Sequence, residues 1–342
     1  MMKVEENIPF ASLTTFKVGG TARYVAHVDT DADIEEARMF ARERSLPVIP
    51  LGSGSNMLAP DEGVHAVFLK ISTDSMITRL EESDGFITVL AGAGMSWDAC
   101  VKETVERGWW GLENLSGIPG TVGAAAVQNI GAYGAALNES VIDVIAYDLE
   151  KGKRTVIPNH ECTFGYRTSI FKKERDKYLI LSLRLTLSTI PKPRIAYRDV
   201  KEYFLKSNTE PTLSMIREAI LEIRKGKFPP LQEYGTAGSF FMNPVLSESD
   251  AEVLAKKYPE MPLFAMPEGG VKVPLAWILD KVLNMKGERE GKAFLWGKQP
   301  IVIAAEAGAT EADIRALSQK VIERVKKETG IAISPEVRLL SQ

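Results

Sequence analysis

Leu51-Gly52-Ser53-Gly54-Ser55-Asn56 follows the apolar run Pro47-Val48-Ile49-Pro50 and reads as a strand entering a glycine–serine loop. Such a loop offers several backbone N–H groups and small hydroxyls in a tight turn. A nest of that kind can hold a pyrophosphate without any positive charge. The same composition also serves a plain turn. A second stretch, Gly117-Ile118-Pro119-Gly120-Thr121-Val122-Gly123-Ala124, again frees backbone amides through its glycines. Two such loops in one chain point to an extended ligand with phosphates in its middle. Around the second loop, Gly117, Gly120, Gly123, Gly131 and Gly134 share the stretch with Ala124, Ala125, Ala126, Ala132, Ala135 and Ala136. Small residues at this density allow backbone to approach something flat or bulky, or to pack tightly around turns.

The familiar nucleotide signatures do not account for these loops. Gly287-Glu288-Arg289-Glu290-Gly291-Lys292-Ala293 is one residue short of a P-loop, and Ala follows its Lys. Gly92-Ala93-Gly94-Met95-Ser96-Trp97 lacks the third glycine of a Rossmann fingerprint. At 342 residues the chain is too long for one small core, and two or three domains are expected. A formal net charge of −3 argues against a nucleic-acid or membrane-surface role. The two cysteines, Cys100 and Cys162, and three histidines, His27, His65 and His160, are scattered, so no metal site is expected. A polar, acidic N-terminus does not read as a signal peptide, and no run of 18 apolar residues suggests a membrane span. A reducing cytoplasm is the simplest setting.

Periodicity predicts a helix capped by Thr30 and Asp33 and running to about Arg44, with Ile34, Ala37 and Phe40 on one face. Strands are expected at 66–71, 86–91, 141–147 and 179–187, and a helix from Ser96 to Gly108 with Trp97, Val101 and Val105 inward. Ile190-Pro191-Lys192-Pro193 opens an extended segment that contains Tyr197. A helix from Leu213 to Arg224 presents Ile216, Ile220 and Ile223, and Lys225 to Pro230 closes it at a domain boundary. Beyond it, Ser247 with Asp250 caps a short helix. Thr310 with Asp313 caps a longer one, striped by Ile314, Leu317, Val321 and Val325 and stopped at Gly330.

Three segments carry residues suited to catalysis. Gly165-Tyr166-Arg167-Thr168-Ser169 holds an arginine, Gly238-Ser239-Phe240-Phe241-Met242-Asn243-Pro244 a serine, and Pro335-Glu336-Val337-Arg338 a glutamate. Singly, each has a bland reading: a surface arginine, a structural serine, a surface ion pair worth little. No Ser-His-Asp pattern marks Ser239 as a nucleophile.

Taken with Thr15-Phe16-Lys17-Val18-Gly19-Gly20, the two glycine-rich loops and Gln128-Asn129-Ile130-Gly131-Ala132-Tyr133-Gly134, these segments make the chain resemble the UDP-N-acetylenolpyruvoylglucosamine reductases (the MurB family of bacterial cell-wall synthesis) from end to end. The resemblance implies an α+β protein: a two-part FAD-binding module of the vanillyl-alcohol-oxidase (PCMH) type plus a smaller α+β substrate-binding domain. The expected division is 1–72, with 335–342 returning to it, then 73–224, then 225–334. It also implies a monomeric cytoplasmic oxidoreductase, a UDP-N-acetylmuramate dehydrogenase. FAD would take hydride from NADPH and pass it to the enolpyruvyl group of UDP-N-acetylglucosamine enolpyruvate, giving UDP-N-acetylmuramate.

By family motif, Arg167 would pair with the substrate carboxylate, Glu336 would polarise the same group, and Ser239 would deliver a proton as general acid. FAD would be held by Gly52, Ser53, Gly54, Ser55, Asn56, Ser116, Gly117, Pro119, Gly120, Thr121, Gly123, Ala124 and Tyr166. Tyr133, Tyr197, Lys227, Asn243, Gln299 and Arg338 match substrate-side positions, with Lys272 and Lys286 weaker matches. Tyr197, in Ile195-Ala196-Tyr197-Arg198-Asp199, corresponds to the lid tyrosine of the lid-bearing (type I) subtype. Two positions depart from the pattern: Met242 stands where lysine is common, and Thr168 where Asp or Ser is usual. A sugar or alcohol oxidase of the same fold often tethers its flavin through a histidine, which neither glycine loop contains. A non-catalytic binding module would not need Arg167, Ser239 and Glu336 together.

Overall fold

The computed structural model describes residues 2–71, 77–205, 210–266 and 268–341. Two compact units emerge from its contacts. The first comprises Met1–Ile8, Ala22–Gly54 and His65–Gly226, and the second Pro9–Thr21, Ser55–Val64 and Lys227–Gln342. The expected division at 72/73 falls outside the described residues.

In the first unit a four-stranded sheet runs in the order Lys3–Pro9, Thr21–Val28, Val64–Ile71, Val48–Pro50. The helix Asp31–Glu43 covers it, and its Thr30 and Asp33 form the reciprocal cap read from sequence. Ile34, Ala37 and Ala41 are its buried stripe, while Phe40 is half-buried and meets the Tyr24 ring edge-on at 5.0 Å. A five-stranded antiparallel sheet follows, ordered Lys153–Pro158, Val141–Asp148, Tyr178–Ser188, Phe86–Gly92, Ile77–Ser83. Its outer strand Ile77–Ser83, absent from the sequence reading, buries only its first residue. Solvent on both faces removes the alternation that marks a half-buried strand.

The helix Val122–Gln128 lies against this sheet. A Cβ on Gly123 would stand 2.9 Å from the Cβ of Ala93, so only glycine permits the approach. The Gly123 and Val122 N–H groups donate to the carbonyls of Ala93 and Met95 (3.0 and 2.9 Å), fixing where the helix starts. Trp97, Leu112, Leu115, Val122, Leu183 and Leu185 fill the core there. The helix Leu213–Lys227 runs three residues past its expected end. With the short helix Arg198–Phe204 it buries Val200, Ile216, Ala219 and Ile220 beside Tyr133. That short helix corrects the expectation of extended chain, which holds only up to Tyr197. Its apolar side chains Val200 and Phe204 are too few to reveal a period in the sequence.

The second unit gathers distant segments around one core. Phe16, Val18 and Leu58 pack with Phe240, Phe241, Leu279, Ile303, Leu317 and Val337. Its long helix Glu311–Thr329 has the cap and stripe read from sequence, and Gly330 ends it in the left-handed conformation at φ 76°. Arg338–Leu339 pairs in parallel with Met57–Leu58.

Gly235 exchanges two hydrogen bonds with Ala305, both 2.8 Å, and a Cβ on it would stand 1.9 Å from the carbonyl oxygen of Phe16. Gly235→Ala is therefore expected to lower the thermal midpoint, with a loss of about 1–3 kcal/mol from overpacking. Gly226→Ala, in a helix with nothing within 4 Å of its added carbon, is expected to hold or raise the midpoint by up to about 1 kcal/mol. Equal midpoints for the two variants would contradict the packing described.

Candidate functional site

The two glycine-rich loops read from sequence meet within the first unit. A Cβ on Gly52 would touch Thr121 Oγ1 at 3.0 Å and Ala124 Cβ at 3.2 Å. Thr121 is the N-cap of the helix Val122–Gln128, its hydroxyl accepting from Ala124 N–H at 3.3 Å. Beside this contact Ser53 buries its Oγ with no hydrogen-bond partner. A buried orphan hydroxyl is costly unless a ligand satisfies it. Gly54 and Gly117 have φ of 62° and 69°, in the left-handed region that favours glycine. The chain leaves the first unit between Gly54 and Ser55. In the second unit Asn56 donates to Glu336 O (3.3 Å) and accepts from Arg338 N–H (3.0 Å).

Other nominated loop residues have structural duties. Ser116 is buried and gives its hydroxyl to Glu113 O at 2.6 Å, and Pro119 is exposed. Gly120 accepts from Trp97 N–H at 3.0 Å. Gly117 is held at both ends: its N–H donates to Asp98 Oδ1 (2.6 Å) and its carbonyl accepts from Arg224 Nε (3.0 Å). Arg217 grips the same Asp98 through two hydrogen bonds of 2.7 and 2.8 Å. Burial alone would raise the Asp98 carboxyl. The Arg217 and Gly117 hydrogen bonds outweigh it and hold the group below the usual range.

Arg167 occupies a strained turn. Gly165 and Thr168 exchange backbone hydrogen bonds of 3.1 and 3.3 Å, leaving Tyr166 and Arg167 at its two central positions. Arg167 has φ 55°, in a slot that glycine ordinarily fills. Contacts on every side hold it there. Its Nη2 donates to Gly131 O at 2.7 Å, and its carbonyl accepts from Lys172 Nζ at 2.9 Å. Lys172 also donates to Gln128 Oε1 at 2.9 Å. Asn129 Nδ2 holds Gly165 O at 2.9 Å, and Ser169 Oγ holds Val127 O at 2.7 Å. The Tyr166 ring lies under the guanidinium, 5.5 Å from its centroid. Backbone strain held in place by so many contacts is a mark of functional sites.

Tyr133 and Gly134, with φ of 49° and 83°, form the turn between the strands Gly131–Ala132 and Ala135–Ala136. Tyr133 is buried, and its ring meets Tyr197 edge-on at 5.5 Å. Burial pushes its phenol up to about 12. Asn114 Nδ2 holds the Tyr133 carbonyl at 2.8 Å.

In the second unit, Gly238–Met242 runs between two other segments. Phe240 N–H donates to Ile301 O (2.8 Å) on one side, and Phe240 O accepts from Glu336 N–H (2.7 Å) on the other. Ser239 and Glu336 therefore stand on neighbouring extended segments, both half-buried, beside the fully buried Phe240 and Phe241. Asn243 Oδ1 accepts from Leu275 N–H at 2.9 Å. Gln299 turns the chain between Trp296 and Val302. Lys227 and Arg338 are half-buried. Met242 keeps the backbone bond to Ser334 O (3.3 Å) whatever its side chain. Cys100 and Cys162 are free and buried, and burial pushes both thiols up to about 12. Among the described residues, no group of His, Cys, Asp and Glu could hold a metal, and no helix is long and apolar enough to cross a membrane.

Asp98, Arg217, Arg224 and Lys172 were missed from sequence, because each acts across a gap that no local pattern spans. Asn129 carried a signal: it caps its helix at φ 42°, a conformation that asparagine tolerates better than most residues.

Paired glycine loops around an orphaned hydroxyl suit a phosphate-bearing cofactor, and a family model that matches this part of the chain makes it an FAD-binding domain, here of the vanillyl-alcohol-oxidase (PCMH) class. The model of the FAD binding domain matches residues 22–153, and that of the UDP-N-acetylenolpyruvoylglucosamine reductase C-terminal domain matches 229–340. The UDP-N-acetylenolpyruvoylglucosamine reductase of Pseudomonas aeruginosa is 36% identical over 99% of both chains. That of Cupriavidus pinatubonensis is 35% identical over 98% of this chain and 99% of the other. The crystal structure of the Thermus caldophilus enzyme shares the fold, with TM-score 0.68 at 23% identity over the whole of both chains. The chain belongs to the UDP-N-acetylenolpyruvoylglucosamine reductase (MurB) family.

Ser53 offers a direct check on the cofactor site. Ser53→Ala removes an unpartnered buried hydroxyl and is expected to leave the apoprotein's thermal midpoint unchanged or higher. FAD affinity, read from flavin fluorescence, should fall about tenfold or more, the scale of a hydrogen bond to a charged group. A lower apoprotein midpoint with unchanged FAD affinity would assign the hydroxyl to the fold instead.

Proposed function

We propose that the chain is a UDP-N-acetylmuramate dehydrogenase of peptidoglycan precursor synthesis. It reduces UDP-N-acetylglucosamine enolpyruvate to UDP-N-acetylmuramate with NADPH, as a cytoplasmic monomer of the lid-bearing subtype. Family membership over the full length supports this reading, and one geometric observation carries it: the rigid left-handed turn at Arg167. A planar guanidinium held in one place suits the pairing with a carboxylate that the family motif assigns to Arg167. FAD would be held by the loops 52–56 and 116–124 together with Tyr166, and would supply the hydride chemistry that links NADPH to the vinyl carbon of the enolpyruvyl group.

Charge then develops on the substrate carboxylate, and stabilisation is needed there. Arg167 pairs with that carboxylate, and Glu336 polarises it. Ser239 gives the proton that completes the adjacent carbon. A serine hydroxyl is a weak acid, so the groups around it in the substrate complex must assist the transfer. Tyr133, Tyr197, Lys227, Asn243, Gln299 and Arg338 hold the sugar nucleotide. Tyr197 serves as the lid, a role supported by its position after the irregular stretch 190–196 and its 45% exposure. We further read residues 1–72 with 335–342, 73–224 and 225–334 as the two flavin-binding parts and the substrate domain.

Stopped-flow absorbance separates the two half-reactions. Ser239→Ala is expected to leave flavin reduction by NADPH within about twofold and to slow reoxidation by the enolpyruvyl substrate by at least about 10²-fold, the usual contribution of a general acid. Equal losses in both halves would make Ser239 a structural residue. Arg167→Gly relaxes the φ of 55° and is expected to cost the fold less than about 1 kcal/mol, since relief of strain offsets the lost contacts. Turnover should nevertheless collapse. A variant that kept turnover would remove Arg167 from the chemistry.

A further inference from the structure

Three side chains of the helix Leu213–Lys227 converge on Gly117. Arg217, Leu221 and Arg224 stand at i, i+4 and i+7, one stripe of a helix. Arg217 reaches Gly117 N–H through Asp98. A Cβ on Gly117 would stand 2.8 Å from Leu221 Cδ2 and 3.2 Å from Arg224 Cδ. Arg224 Nε takes the Gly117 carbonyl at 3.0 Å. The same guanidinium reaches the phenol of Tyr133, whose side chain packs with Ile216 and Ile220 of this helix. Tyr133 lies in another loop, with a backbone φ of 49° and its ring against Tyr197.

We infer that Arg224 is a positioning residue that transmits the placement of the Gly117 flavin loop to the hydroxyl of Tyr133. One planar guanidinium serves two acceptors that lie in different directions, which a lysine ammonium on a flexible stem does not reproduce. Its hydrogen bond fixes the side from which the phenol oxygen accepts, and so the direction in which that O–H points. A cofactor that presses on Gly117 thus acts on Tyr133 through Arg224, and by linkage the reverse holds. That Tyr133 contacts the sugar nucleotide is part of the function proposed above, and the consequence for substrate affinity rests on it.

Two measurements test the relay. In protein labelled with 3-fluorotyrosine, the Tyr133 resonance is identified by its loss in Tyr133→Phe. It should shift on adding FAD to otherwise unaltered apoprotein and shift much less in Arg224→Lys. With the loaded enzyme, Arg224→Lys and Tyr133→Phe should each raise KM for the enolpyruvyl sugar nucleotide about tenfold, with kcat within about threefold, as one lost charged or oriented hydrogen bond predicts. The double variant should match either single one, because both break the same link. Tyr133→Phe keeps the ring and its contact with Tyr197, so it reports even if Arg224→Lys folds poorly. A resonance that moves equally with and without Arg224, or KM effects that multiply in the double variant, overturns the inference. Failure of the unaltered enzyme to turn over the sugar nucleotide would instead remove the functional reading, and the relay would stand or fall on the resonance.

Discussion

The structure of the first unit depends on how closely the helix Val122–Gln128 can approach the five-stranded sheet. Gly123 sits where a Cβ would clash with Ala93, and its N–H is bonded to the Ala93 carbonyl. From that contact the helix extends in two functional directions. At its start, Thr121 and Ala124 meet Gly52 and join the two glycine-rich loops. At its end, Val127, Gln128 and Asn129 hold the turn that carries Arg167. A side chain at position 123 would displace the helix and disturb both ends together. Short alanine-rich helices have little stability of their own, so this one takes its position from the sheet.

Charge is used with the same economy of parts. Asp98, Arg217 and Arg224 act on the backbone of Gly117. Lys172 acts on the backbone of Arg167. These ionic side chains shape loops that others in the family's motifs then use. In the second unit the shaping is done by the chain itself, with Ser239 and Glu336 on segments joined through main-chain hydrogen bonds.

Much of this was legible in sequence wherever one segment carried its own reason. The Thr30–Asp33 and Thr310–Asp313 caps, the stripe from Ile314 to Val325 and the Gly330 stop are local signals, and the structure has them all. The juxtaposition of Gly52 with Thr121 was anticipated only as two loops sharing a ligand. What stayed hidden was non-local or aperiodic. The edge strand Ile77–Ser83 shows solvent to both faces, and Arg198–Phe204 is too short to show a period. Arg167 is named by its motif, but its left-handed backbone is not legible, because an angle of 55° is set by Asn129, Lys172 and Gly131 from elsewhere in the chain.

The parallel pairing of Arg338–Leu339 with Met57–Leu58 has a consequence for biosynthesis. The second unit is discontinuous, and residues 9–21 and 55–64 are lent to it from within the first. Their partner strand leaves the ribosome about 280 residues later, roughly 15–60 s at ordinary rates of synthesis. During that interval the first unit can close, while Phe16, Val18 and Leu58 have no finished core to enter. The nascent chain thus carries two greasy loops in waiting, a natural target for holding chaperones. Glu336 is set against Phe240 and Asn56 in the same late event. The order of translation therefore keeps that part of the site unassembled until nearly all of the two units has been made.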